Sequence, residues 1–374
     1  MANIQINITE NGKTTLATQG CICDRNIDIN VEVPNQGFAC DGRHIPDDAL
    51  LLTGTMSNTF PNNKWGWFIR DYGNEITTEN IGDCSYTFDS STQIEDIPFE
   101  MNFTTSDTVD MQSTYRGCTN LKHIGAWKNA SFYYFQNVFY NCYNLRYLPE
   151  FIDCDFSTCN RTETPFYNCY SLRSIPEDFL KNFWSGGSTS LYHYFGNMCY
   201  NCVALDELKC INPHPNKTYS SNIFADAFYH CYRLKDLTFD VQEDGTPYTC
   251  KWKSQIIDLS KYVGYVYNGK YLSQYNSGIT ADKEVYDDAT YQALKNDPDW
   301  WTTDIRYSRY NHDSAVNTIN SLPDCSAYIG TSGANNTIKF KGESGSATDG
   351  GAINTLTEDE IAVATAKGWT VTIV

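Results

Sequence analysis

Between Phe88 and Leu237 the apolar positions recur at a constant offset of three. The unit reads aromatic, x, x, Cys, x, x, Leu, x, x, Ile or Leu. Its clearest copy is Phe139, Cys142, Leu145, Leu148, followed by Pro149. The next is Phe166, Cys169, Leu172, Ile175 and Pro176, and a third is Phe228, Cys231, Leu234 and Leu237. Weaker copies centre on Cys118 (Tyr115, Leu121, Ile124), Cys202 (Cys199, Leu205, Leu208) and Ser91 (Phe88, Ile94, Ile97). The anchors at 91, 118, 142, 169, 202 and 231 are separated by 27, 24, 27, 33 and 29 residues. A constant offset of three is not the alternation of a strand, and it predicts a turning chain that ends in a short strand. A period in the twenties with apolar anchors predicts a solenoid of stacked coils. Each coil would bury its aromatic, its Cys and both aliphatics against the same positions of its neighbour. At roughly 1.5–3 kcal/mol per large apolar side chain, one coil cannot offset its own ordering entropy, whereas a stack can.

Outside the repeat the pattern changes. Ile4, Ile6 and Ile8 alternate with polar residues, Glu10-Asn11-Gly12 is a hairpin signal, and Ile27, Ile29, Val31 and Val33 alternate again up to Pro34. Residues 1–34 therefore read as a small β module. Residues 35–87 hold apolar runs at Ala49–Leu52 and Trp65–Ile69 and read as an N-terminal cap region; Phe60 begins a degraded copy that lacks its downstream Leu. Residues 88–240 are the repeats, and 241–310 are an irregular continuation with a strand at Ile256–Leu259 and a short helix at Asp287–Lys295. In 311–374, helical spacing at Asp313–Leu322 and Thr357–Lys367 alternates with strand patterns at Asn336–Phe340 and Trp369–Val374, a helix–strand C-terminal cap.

Fifteen cysteines in 374 residues suggest a disulfide scaffold, but the count is odd and five of them sit on repeat anchors. Ser91 occupies the same slot and cannot form a disulfide. The expected structural ladder, Ser91, Cys118, Cys142, Cys169, Cys202 and Cys231, is therefore a column of small, buried thiols without disulfides. The N-terminus lacks a basic region followed by an apolar run, so no signal peptide is expected. No stretch approaches the length of a membrane span, so no membrane insertion is expected. The net charge of −18 argues against a nucleic-acid partner and against docking on anionic lipid.

The repeat phrase resembles the leucine-rich repeat of the bacterial surface-antigen (BspA-like) type over about residues 88–240. The resemblance implies an α+β fold: a right-handed coil stack, strand-rich with few short helices, and helices on the convex side. Two further stretches, "ITENGKTTLATQG…CDRNIDINVEVP" and "LTEDEIAVATAKGWTVTIV", resemble the terminal segments of proteins encoded by bacteriophages and prophages of gut bacteria.

No phosphate loop, dinucleotide fingerprint or nucleophile elbow is present. Cys199, Cys202, Cys210 and His214 are the sharpest zinc candidate, four soft ligands within sixteen residues. Against it, Cys202 is already a ladder thiol and Cys199 fills an aromatic slot, so neither metal nor cofactor is expected. His312, Asp313 and Ser314 are catalytic residue types but stand consecutively at a helix start, where N-terminal capping explains them. No catalytic residues are assigned, and a non-enzymatic protein is expected.

What remains is a surface. Residues flanking the second aliphatic of each copy should face outward, which selects Asp96, His123, Tyr147, Ser174, Glu207 and Asp236 as a candidate recognition surface. Together with the phage-like termini, this leads to the expectation of a bacteriophage virion protein, a fibre or decoration component assembled in the host cytoplasm. It would attach through residues 1–34 to other virion proteins and present its repeats to a host-surface glycan or protein; a homo-oligomer is compatible with this. The alternatives are a bacterial cell-surface adhesin of the same repeat type and a polysaccharide depolymerase.

Overall fold

A computed structural model describes residues 51–62, 69, 73–105, 108–159, 161–183, 195–231, 234–260, 310–329, 335–342 and 356–374, together with the backbone of strands Asn7–Glu10, Lys13–Leu16 and Ile29–Asn30. The expected helix at Asp287–Lys295 and most of the run at Trp65–Ile69 lie outside the described residues.

The repeated phrase owes its shape to two left-handed residues per copy. The residue five places before the Cys slot and the one immediately before it both have positive φ. These pairs are Asn58/Asn62, Tyr86/Ser90, Ser113/Gly117, Asn137/Asn141, Thr164/Asn168, Asn197/Asn201 and Asp226/His230, with φ between 49° and 75°. Half of the fourteen are asparagine and one is glycine, in line with the residue types that tolerate this region. The chain thus curls twice within five residues, and alternate N–H groups point toward the next copy. Asn58, Phe60 and Asn62 donate to the carbonyls of Ser85, Thr87 and Asp89 at 3.0, 2.7 and 2.9 Å. Asn137, Phe139 and Asn141 donate in the same way to Glu163, Pro165 and Tyr167 at 3.0, 3.0 and 2.8 Å. The stretch at 58–62, where the sequence shows only a degraded copy, has the same geometry.

This geometry corrects the expected fold. The leucine-rich-repeat α+β solenoid, a right-handed coil stack, is not what the described residues show. They form many short strand pairs, mostly parallel, in eight sheets of two or three strands, with few helices and no closed barrel; no solenoid is shown. The physical reason lies in the backbone. A left-handed residue ends a strand, so the copies meet largely through turns, and strands survive only as pieces of two to five residues between them. Asp96–Ile97 pairs with His123–Ile124, Met101–Asn102 with Trp127–Lys128, and Glu207–Ile211 with Asp236–Phe239, all parallel.

The interior is one hydrophobic cluster running from Leu52 to Trp369. Along it the aromatic anchors stack face to face: Phe60 on Phe88 at 5.3 Å, Phe88 on Tyr115 at 5.3 Å, Tyr115 on Phe139 at 5.6 Å and Phe139 on Phe166 at 5.9 Å. The ladder residues are all buried, and each donates to a carbonyl of the preceding copy. Ser91 Oγ reaches Phe60 O at 2.6 Å; Cys118, Cys142, Cys169, Cys202 and Cys231 Sγ reach the carbonyls of Phe88, Tyr115, Phe139, Phe166 and Cys199 at 3.0–3.1 Å. Every described cysteine is a free thiol.

Four helices are described: α1 (Glu177–Asn182), α2 (His312–Ser321), α3 (Ser326–Ile329) and α4 (Glu358–Ala366). Helix α2 packs on the strand Asp236–Phe239, where Thr318 Oγ1 donates to Leu237 O at 2.5 Å and Phe239 N–H donates to Ser321 Oγ at 3.1 Å. Its cap is Asn311, one residue ahead of the predicted trio, in a reciprocal box with Ser314. Helix α4 begins with the matching box of Thr357 and Glu360. Strands Ile256–Asp258, Asn336–Phe340 and Trp369–Ile373 form a parallel three-stranded sheet in that order. Lys367 joins its end to α2 by donating to the last-turn carbonyls of Ile319 and Asn320 at 2.9 and 2.6 Å.

Candidate functional site

Parallel pairing places several of the predicted recognition residues side by side. Asp96 stands opposite His123, and Ser174, Glu207 and Asp236 stand in consecutive pairings. Asp96, His123, Tyr147 and Ser174 are exposed, whereas Glu207 and Asp236 are half-buried. No strand pairing joins Tyr147 to the row among the described residues, and the residue is 54% exposed. Its own copy instead touches the next through Arg173 N–H, which donates to Arg146 O at 3.0 Å.

The two ends of the row differ electrostatically. At one end polar side chains pair across copies in solvent: Lys122 with Glu95 at 3.1 Å, and His123 Nδ1 with Asp96 at 2.9 Å. Such pairs are worth little energetically and leave the side chains free to re-pair with a ligand. At the other end Lys209 holds Glu207 at 2.8 Å. One Asp236 carboxylate oxygen is sealed from solvent with no hydrogen-bond partner among the described residues. Burial pushes the Asp236 carboxyl upward, opposed by Lys209.

The four zinc candidates do not converge. Cys199 and Cys202 are buried in the interior, where Cys202 Sγ donates to Phe166 O. Cys210 lies on the surface strand, its Sγ 3.9 Å from Glu177 Oε2, and His214 is buried between the rings of Phe195 and Tyr219. Among the described residues, no three His, Cys, Asp or Glu side chains form a metal-binding group. Burial raises the thiols of Cys118, Cys142 and Cys169 well above the usual range, so they stay protonated and serve as donors rather than as nucleophiles or ligands.

A second set of aligned side chains escaped the sequence reading. Two places before the Cys slot, successive copies carry Asp89, Arg116, Tyr140, Tyr167, Tyr200 and Tyr229. Arg116 grips Asp89 with two hydrogen bonds of 2.8 Å. The four tyrosine rings stack face to face at 4.8, 4.7 and 4.8 Å, with interplanar angles of 6°, 9° and 18°. Beside them runs an amide chain. Asn168 Nδ2 donates to Asn141 Oδ1 at 2.8 Å, Asn201 Nδ2 donates to Asn168 Oδ1 at 2.7 Å, and His230 Nδ1 meets Asn201 Oδ1 at 2.8 Å. That last contact requires the proton on Nδ1. Burial holds the His230 imidazole down at about 4, so it stays neutral. The signal was present in the sequence as the recurrent Tyr-Asn-Cys and Tyr-His-Cys triplets. No protein-family model, curated protein or solved structure matches the chain.

Proposed function

We propose that this protein is a non-enzymatic structural component of a bacteriophage particle, a fibre or decoration protein that presents the row from Asp96 to Asp236 to a host-surface glycan or protein. The observation that carries this reading is the in-register alignment of polar side chains from copies 27 to 33 residues apart, in two runs, Asp96 with His123 and Ser174 with Glu207 and Asp236. Such a row is a surface of varied chemistry repeated along the molecule, which suits recognition over an area better than reaction at a point. The phage-like phrases near both ends of the sequence supply the particle context, with the N-terminal segment as the attachment point.

Mass spectrometry of purified particles tests the assignment. The protein is expected at a constant copy number per particle, and its absence from washed virions defeats the proposal. Recovery of the protein on intact bacterial cells instead would favour a surface adhesin, and release of oligosaccharide from host capsule would favour a depolymerase.

A further inference from the structure

We infer that the tyrosine column Tyr140–Tyr167–Tyr200–Tyr229 is a binding strip for an extended, uncharged polysaccharide. The packing does not demand aromatic residues there. Two earlier copies fill the same position with Asp89 and Arg116, and the interior already has its own ring stack from Phe60 to Phe166. All four rings are half-buried, so they remain reachable from solvent. Because each ring face covers the next, solvent meets ring edges and phenol oxygens rather than faces. The result is a strip of alternating apolar edge and hydroxyl that repeats at the 4.7–4.8 Å ring spacing.

The backbone holds that spacing. The N–H groups of Gly117, Asn141, Asn168 and Asn201 donate to the carbonyls of Tyr140, Tyr167, Tyr200 and Tyr229 at 2.7, 2.8, 2.8 and 2.8 Å. A rigid, periodic row of groups that both donate and accept matches a polymer whose own hydroxyls repeat along its length, and preorganisation lowers the cost of binding it. The strip carries no formal charge in a chain of net charge −18, which disfavours anionic polymers. A protein partner fits less well, since interface anchors bury ring faces in pockets and these faces are already used.

This inference rests on the proposed function only in treating the protein as a binder. Absence from virions would defeat the particle assignment and leave the polysaccharide question open to its own test. That test is affinity electrophoresis of the full-length protein through gels holding dextran, soluble starch or mixed-linkage β-glucan. Calorimetric titration with oligosaccharides of the retarding polymer follows. Retardation by at least one polymer is expected, with affinity climbing from mono- to tetrasaccharide. The double variant Tyr140→Phe, Tyr167→Phe keeps the ring stack and removes two hydroxyls. It should bind about tenfold more weakly while melting at the wild-type temperature. Migration unaffected by all three polymers, affinity independent of chain length, or wild-type binding by the double variant would each overturn the inference. So would a protein ligand lost in that variant when no polymer is bound.

Discussion

The repeated stretch around Cys118, Cys142 and Cys169 and the C-terminal unit of α2, α4 and their strands solve the same problem by different means. In the repeats, left-handed residues bend the backbone, and a small thiol closes each turn onto the carbonyl of the copy before it. In the C-terminal unit the helices are set by reciprocal capping boxes, and a parallel sheet carries the lateral hydrogen bonds. The contrast teaches that the repeats tolerate little change in side-chain volume or backbone angle, whereas the C-terminal unit depends on local polar signals that can be removed one at a time.

The largest effect expected is at Gly125, in the repeats. A Cβ there would sit 2.2 Å from the Phe99 carbonyl oxygen and 2.6 Å from its carbon, both backbone atoms with nowhere to move. Gly125→Ala should cost about 3 kcal/mol or more, seen as a lower midpoint in urea unfolding. A wild-type midpoint would mean that the neighbouring copies are looser than the contacts imply.

Acid should separate the two regions. His230 is held down at about 4, against 6.5 in an unfolded chain. As pH falls below about 6.5 the unfolded chain binds a proton that the folded chain refuses, so the repeats lose stability down to about pH 4, by roughly 1–2 kcal/mol at pH 5. His312 runs the other way. The Glu360 carboxylate, 3.0 Å from its Nε2, raises it, so its contribution is full below the unfolded value and fades as pH rises through the folded one. Hydrogen exchange at pH 7 and pH 5 should therefore show protection falling around Asn201–Cys231 while the contact of α2 with α4 is maintained. His230→Asn continues the amide chain with a residue suited to positive φ, and should abolish the acid sensitivity of the repeats. Persistence of that sensitivity would assign it to another group.

The smallest effects compare single polar contacts. Cys169→Ala removes the donor to Phe139 O and leaves a small void, a loss of about 1–2 kcal/mol, whereas Cys169→Ser should lose less, because Ser91 makes the same contact at 2.6 Å. Thr357→Ala removes the α4 cap and should cost about 1 kcal/mol. Thermal melting of the three variants checks the ranking, and a Ser variant weaker than the Ala variant would break the equivalence of hydroxyl and thiol.

Particular residues show how much of the site was legible. The outward direction of Asp96 and His123 follows from their place flanking the second aliphatic, and the structure places them opposite each other. The spacing of Cys199, Cys202, Cys210 and His214 within sixteen residues does not bring them together, because spacing in sequence says nothing about which side of a turn Cys210 and His214 occupy. Phe60 was undervalued for want of a downstream Leu, although Asn58 and Asn62 already stood at the spacing of the left-handed pairs.

The sequence alone determined which side chains repeat, where the ladder thiols stand and that capped helices start near Asp313 and at Thr357, because these depend on identities at short, constant offsets. Only the tertiary structure decided that the copies meet through turns in small separate sheets rather than as a leucine-rich-repeat solenoid, and that four tyrosines close into one column. Backbone φ and the alignment of residues some thirty positions apart are settled by hydrogen bonds between copies, and no single copy contains that information.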